Sequence, residues 1–285
     1  MIELAATDPQ AAISPVAIAI LMMPGTIVFT RLVSQIRERG GRVSTEGFGL
    51  PDLFMGFFLA GFFALNVLMP AVAHDKAPTG EVMSPKQAIM GSLVYIVLLA
   101  LIVGFLRMRK LSPLQMFGVN RMPIWKALLM GGLLIAALFP VLAVASWVTQ
   151  GVLKNLIDAP VHEQDVVKVF RDAASANAQP SVIALFIMAT VAAPIVEEVL
   201  FRGYFYAVFK SWAGPVASLI FTSTLFAVIH NTLAVTPALL MLAVALTVAY
   251  EWSGSLLVPI TMHAVFNTAQ LGYLLAQTAS ASPTP

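Results

Sequence analysis

Cysteine is absent from this 285-residue chain, which removes disulfides, thiolate nucleophiles and every cysteine-based metal site. Charge is nearly as scarce. Only 11% of the residues are Asp, Glu, Lys or Arg, against roughly 25% in ordinary soluble domains, so a soluble globular reading fails. The formal net charge is +2, and no basic run offers a surface to nucleic acid. The N-terminal MIELAATDPQ lacks the positive n-region of a cleavable signal peptide, so the first apolar stretch is expected to be a retained span. There is no HExxH motif, no Ser–His or Ser–Lys pairing that stands out, no internal repeat, and no low-complexity segment beyond the tail SASPTP.

What is abundant is apolar side chain: 59% of the residues are hydrophobic and the mean hydropathy is +0.88. The composition predicts an all-α, polytopic transmembrane helix bundle of about eight spans. Apolar windows place them at 11–30, 52–73, 87–106, 125–149, 181–209, 214–233, 236–252 and 255–275. Four N-terminal spans and an outer loop make up 1–180, four further spans make a core at 181–275, and 276–285 reads as a frayed tail. With the N-terminus outside, the inner segments 31–50, 107–126 and 202–210 hold 11 of the 16 Lys and Arg residues. The positive-inside rule then sets both termini outside, in an integral membrane protein of the plasma (inner) membrane if the source is bacterial. The outer stretch VHEQDVVKVFRDAASANAQP is either a short amphipathic helix on the membrane or over the bundle, or a solvated loop with a turn or two of helix. Thr236 is placed to cap the seventh span, with Pro237 in its first turn. Pro194 falls inside the fifth span, where it should deprive the Thr190 carbonyl of its partner and kink the helix.

From the fifth span onward few strongly polar side chains lie at membrane depth: Glu197, Glu198, Arg202, His230, His263 and Asn267. Each is costly in hydrocarbon and must face a partner, the bundle interior or water. Glu198 and Arg202 are four apart with the acid first, the favourable order for a helical ion pair. That pairing leaves Glu197 without a local partner. His263 and Asn267 share a helix face, and His230 follows Phe226 by four. A carboxylate, two imidazoles and an amide support hydrolysis: Glu197 holds and deprotonates a water that His230 shares, while His263 and Asn267 donate to the oxyanion. The same residues allow a second mechanism, with Glu197, His230 and His263 as ligands of a divalent metal such as zinc and a water in the open position. The residues alone leave both open.

Three motifs stand in order, each on its own predicted helix: EEVLFR at 197–202, FAVIH at 226–230 and HAVFN at 263–267. Together they resemble the EExxxR, FxxxH and HxxxN motifs of the CPBP intramembrane proteases, also called the Abi or CAAX-protease family. The resemblance covers roughly residues 181–270. It implies an intramembrane endopeptidase in which Glu197 and His230 activate water, His263 and Asn267 stabilise the oxyanion, and Glu198 with Arg202 braces the site. It implies peptide or membrane-protein substrates, lipidated ones among them, in contact with membrane lipid. Members of the family are often labelled metalloproteases, and a metal-independent glutamate mechanism has also been proposed for them.

Plainer roles stand beside these. Glu198–Arg202 alone is a structural ion pair, His230 a helix cap, and His263–Asn267 or Asn66 interhelical glue. His74 and His162 read as loop surface, Glu251 beside Trp252 as an interfacial anchor, Phe and Met as lipid-facing or packing residues, and Gly131–Gly132 as room for close helix approach. The rival function is a transporter or proton channel built on the same buried groups. Against it, no matching polar set appears in spans one to four.

Overall fold

A computed structural model describes residues 14–73, 85–157, 165–230 and 232–281, and among these there is no β-strand. The chain is an all-α helical bundle. Its α-helices are α1 (Pro15–Arg39), α2 (Leu50–Ala73), α3 (Pro85–Met108), the single turn α4 (Pro113–Met116), α5 (Ile124–Val152), α6 (Asp165–Ser175), α7 (Gln179–Ile187), α8 (Ala193–Glu198), α9 (Ala207–Ile229), α10 (Thr236–Ser253) and α11 (Leu257–Ala281). Two π-helical segments, Met188–Ala192 and Val199–Tyr206, join α7, α8 and α9 into one helical stretch, Gln179–Ile229. Among the described residues, four stretches are long and apolar enough to cross a membrane: Val16–Arg39, Ile124–Asn155, Gln179–Ile229 and Thr236–Ser253. Leu50–Phe62 within α2 and Tyr95–Met108 within α3 are further apolar helical segments.

The joined stretch carries the fifth and sixth expected spans, and Gly214 separates them. Its φ of 78° is open to glycine and strained for other residues. Pro215 then starts a new helical direction, with Ser218 Oγ donating to the Gly214 carbonyl at 2.7 Å. Elsewhere the caps follow the sequence. Ser14 Oγ accepts from Ala17 N at 3.2 Å ahead of Pro15, and Gly254 ends α10 in the left-handed region. Thr236 does not cap. Its hydroxyl donates back to the Thr232 carbonyl at 2.9 Å, because the helix already begins at this residue. The C-terminal helix α11 runs to Ala281, beyond the expected boundary at 275.

Outward faces are apolar: Val16, Ile20, Phe54, Phe58, Leu133 and Ile220 all stand exposed, as a lipid boundary requires. Helix α10 lies innermost, packed on α9, α5, α1 and α11. Gly131 lets α5 approach α11, since a Cβ there would come within 2.6 Å of Thr261 Cβ, whereas Gly132 faces open space. The amphipathic helix expected in the outer loop forms as α6. It packs on α7 and α11, with Phe170 and Ala173 fully buried. His74 and His162, and the side chain of Asn66, lie outside the described residues.

Two buried carboxylates tie the loop after α1 to the bundle. Asp52 Oδ2 accepts from Gly49 N at 2.8 Å and from Arg109 Nη2 at 2.9 Å. Glu251 is not the interfacial anchor expected beside Trp252. It is 4% exposed, and it accepts from Tyr206 Oη at 2.6 Å, from Lys210 Nζ, and from Val43 N at 3.3 Å. Its partners come from two distant segments, the loop after α1 and the 206–210 turn, which no local reading of the 236–252 window could assemble.

Candidate active site

The site is built on the stretch where regular α-helix gives way to π-helix. Ala193 N donates to Met188 O, five residues back. In that register the amide missing at Pro194 would have served the Ala189 carbonyl rather than Thr190. Ala189 O is instead taken by Asn267 Nδ2 at 2.8 Å, across from α11. The expected defect at Pro194 is therefore present but displaced by one carbonyl, and it is satisfied by one of the motif residues. Thr190 turns its own hydroxyl onto the Phe186 carbonyl at 2.7 Å.

Glu197 and Glu198 then diverge, as adjacent helical residues must. Glu198 is fully buried, and its Oε1 accepts from two partners: Arg202 Nη1 at 2.9 Å and His263 Nδ1 at 2.8 Å. The Glu198–Arg202 pair predicted from spacing is present, and Glu198 also holds an imidazole that spacing could not show. Arg202, 2% exposed, also donates to the Ala243 carbonyl at 3.2 Å and lies over the Phe226 ring at 4.5 Å. The buried charge is thus paired, hydrogen-bonded and stacked, as a membrane interior demands.

Glu197 keeps a different company. Its side chain is 18% exposed, and Oε2 is buried with no hydrogen-bond partner while lying 3.9 Å from His263 Nε2. That separation is too long for a direct hydrogen bond and leaves both atoms within reach of one small group between them. With Nδ1 held by Glu198, Nε2 is the ring nitrogen that faces this gap. Helix α3 packs against α8, which carries Glu197, and brings Tyr95 near that carboxylate.

His230 ends α9, and its Nδ1–H donates to the Phe226 carbonyl at 2.7 Å. Phe226, fully buried, has its ring centroid 4.7 Å from that of His230 and 5.7 Å from that of His263. The two histidines and Arg202 therefore flank one aromatic ring. The structure brings Glu197, Glu198, Arg202 and His263 into a single cluster, sets His230 beside it through Phe226, and seats Asn267 on the adjoining π-helical turn.

The alternative zinc set does not assemble. Among the described residues no group of three or more His, Cys, Asp or Glu side chains gathers closely enough to hold a metal ion. Glu197 and His263 approach each other, while His230 stacks on Phe226 and does not complete a set of three with them.

One residue at the site escaped sequence reasoning altogether. Tyr95 lies on α3, in a half of the chain where no motif residue was found. The available signal was its place: tyrosine favours the membrane interfaces, and this one sits inside the apolar span 87–106.

Residues 179–269 match the family model Rce1-like, described as Type II CAAX prenyl endopeptidase Rce1-like. No curated protein and no solved structure gives a match. The matched segment begins at the first residue of α7 and ends two residues after Asn267, so it holds all three motifs. It supports a protease of the CAAX endopeptidase kind in an integral membrane protein. The segment that builds this site is thus similar to the type II CAAX prenyl endopeptidases, consistent with the CPBP-family protease its motifs resemble.

Proposed function

We propose that the protein is an intramembrane endopeptidase that hydrolyses a peptide bond near or within the bilayer with a water activated by Glu197. The observation that carries this reading is the unpartnered Glu197 Oε2, buried and 3.9 Å from His263 Nε2. An unsatisfied buried acceptor is expensive to keep, and such costs gather where chemistry needs them. A reacting group in that gap touches both side chains. The water lies on the Glu197 side and gives its proton to the carboxylate. Its oxygen attacks the scissile carbonyl carbon, and the proton passes from Glu197 to the departing amine.

Donors on the opposite side receive the oxyanion. His263, held at Nδ1 by Glu198, turns Nε2 toward the gap as the donor to the oxyanion. Asn267 has one N–H on Ala189 O and a second to offer, since an amide carries two. His230 shares the water from beyond Phe226, with Nε2 as its remaining nitrogen. Glu198 and Arg202 hold the frame. Substrates are peptides or membrane-anchored proteins, prenylated CaaX sequences first among them, as the description of the matched family suggests. With both termini outside, the site is approached from the inner half of the bilayer.

The test is cleavage of quenched fluorogenic peptides, including a farnesylated CaaX peptide, by the protein in detergent or liposomes. Glu197→Gln is expected to abolish cleavage while the protein still inserts and folds. Wild-type rates in that variant would sink the proposal.

A further inference from the structure

The cations gathered where α1 ends and α5 begins take no part in the site described above. We infer that this corner of the bundle binds the phosphate of an anionic membrane phospholipid, with Arg42 and Arg121 as its two guanidinium ligands. The inference is independent of the role assigned to Glu197.

Two contacts fix the geometry. A Cβ on Gly25 would meet the Ala137 carbonyl and Val141, so the middle of α1 lies directly on the middle of α5. At the second contact, Arg121 Nη1 donates to the Arg42 carbonyl at 2.6 Å. Arg42 follows α1 and Arg121 precedes α5, so the two helices run antiparallel and these ends are level. Between the contacts, α1 carries Arg37 and Arg39 in its last turn and α5 carries Trp125 and Lys126 in its first. The end of α10 closes the corner. A Cβ on Gly254 would meet both Arg42 Cβ and Arg121 Nη1, so the two arginines border the same glycine.

The charge collected there is scarcely balanced. Arg37, Arg39, Arg42, Arg121 and Lys126 are all exposed, and among the described residues none of them forms an ion pair with an acid. Segment 107–126 contains no Asp or Glu, and Glu38 is the one acid in 31–42. Glu251, close by, is already held by Lys210 and Tyr206. Like charges side by side attract an anion, and the guanidinium fork matches the oxygens of a phosphate.

The apolar neighbours select the kind of anion. Ile124 is 66% exposed and Trp125 61%, and Lys126 Nζ lies 5.4 Å from the Trp125 ring centroid. Both apolar residues open a stretch long and apolar enough to cross a membrane, and tryptophan at a span end marks headgroup depth. A ligand in this corner meets Ile124 and Trp125 on one side and the arginines on the other. An anionic phospholipid satisfies both. Free phosphate or a soluble acidic peptide would leave the apolar pair in water.

The test is lipid binding to the full-length protein in detergent, followed by native mass spectrometry during titration with phosphatidylglycerol or phosphatidylcholine. Phosphatidylglycerol is expected to bind about tenfold more tightly. Arg42 hydrogen-bonds through its backbone alone, so Arg42→Gln spares the fold. It is expected to weaken phosphatidylglycerol binding about fivefold, the worth of one cation near an anionic surface. Adding Arg121→Gln should bring binding down to the phosphatidylcholine level. Arg121 also holds the Arg42 carbonyl, so if the double variant unfolds, Arg42→Gln decides by itself. Lys168→Gln, an exposed charge on α6, should change nothing. Equal binding of the two lipids, or an undiminished preference in Arg42→Gln, overturns the inference. An equal loss in Lys168→Gln also overturns it, because the effect would then be one of net charge. So does inorganic phosphate that binds as tightly as the lipid, which would make the corner a site for a soluble anion.

Discussion

At the scale of single residues, two neighbouring glutamates of identical chemistry have opposite relations to stability. Glu198 is fully buried and holds Arg202 and His263 together. Removing its charge would strand a buried guanidinium, at a cost of about 3–5 kcal/mol. Each glutamate keeps its Oε2 unpartnered, but Glu197 lacks the short ion pair of Glu198 and has His263 Nε2 only at 3.9 Å, so the folded state owes it less. Glu198→Gln should therefore lower the unfolding midpoint measured in detergent and abolish activity. Glu197→Gln should abolish activity while leaving the midpoint unchanged or raised, the usual sign of a residue kept for function. Equal destabilisation by both substitutions would contradict the division of roles between them.

At the scale of one element, the π-helical turn Met188–Ala192 and Pro194 together create an unserved carbonyl on Ala189, and Asn267 fills it. Asn267→Ala is expected to cost about 1–3 kcal/mol through that orphaned acceptor, in addition to slowing turnover. Pro194→Ala restores a backbone amide that can compete for the same carbonyl. The double substitution Pro194→Ala with Asn267→Ala should accordingly be more stable than Asn267→Ala alone, with activity still low. Additive losses in unfolding experiments would show that the amide and the proline act independently. The sequence already flagged Pro194 as a defect and Asn267 as polar at depth. It could not join them, because the register of the turn decides which carbonyl is orphaned, and an α-helical count points to Thr190.

The whole molecule is held as one body by contacts between distant segments. The main core draws residues from α1, α2, α3, α5 and from α8 to α11, and a smaller one joins α6, α7 and α11. At one end, the loop following α1 is fastened to α10 and α9: Arg42 N donates to the Glu251 carbonyl at 2.9 Å, and Lys210 Nζ, on α9, donates to the Val43 carbonyl at 3.0 Å. Gly41 lies directly against the Glu251 carboxylate, and any Cβ there would overlap Oε2. Gly41→Ala is expected to destabilise the protein by about 1–3 kcal/mol. Limited proteolysis should show faster cutting near residue 41, far from the Glu197 site. Unaltered stability and proteolysis would mean that the loop does not depend on this fit.

Composition by itself determined that this chain is a helical membrane protein, because an apolar content this high with so little charge has no soluble solution. The motif spacings likewise determined that Glu198 answers to Arg202 and that His263 and Asn267 share a face, since both are relations within one helix and follow from 3.6 residues per turn. Only the tertiary structure decided what crosses between helices. It set His263 on Glu198, brought Tyr95 near Glu197, turned Asn267 onto Ala189, and drew Glu251 into a buried cluster with Lys210 and Tyr206. Those partners lie tens of residues apart or more, and helix periodicity carries no information about which faces meet. The physical division is between contacts within a helix, which spacing encodes, and contacts between helices, which packing alone selects.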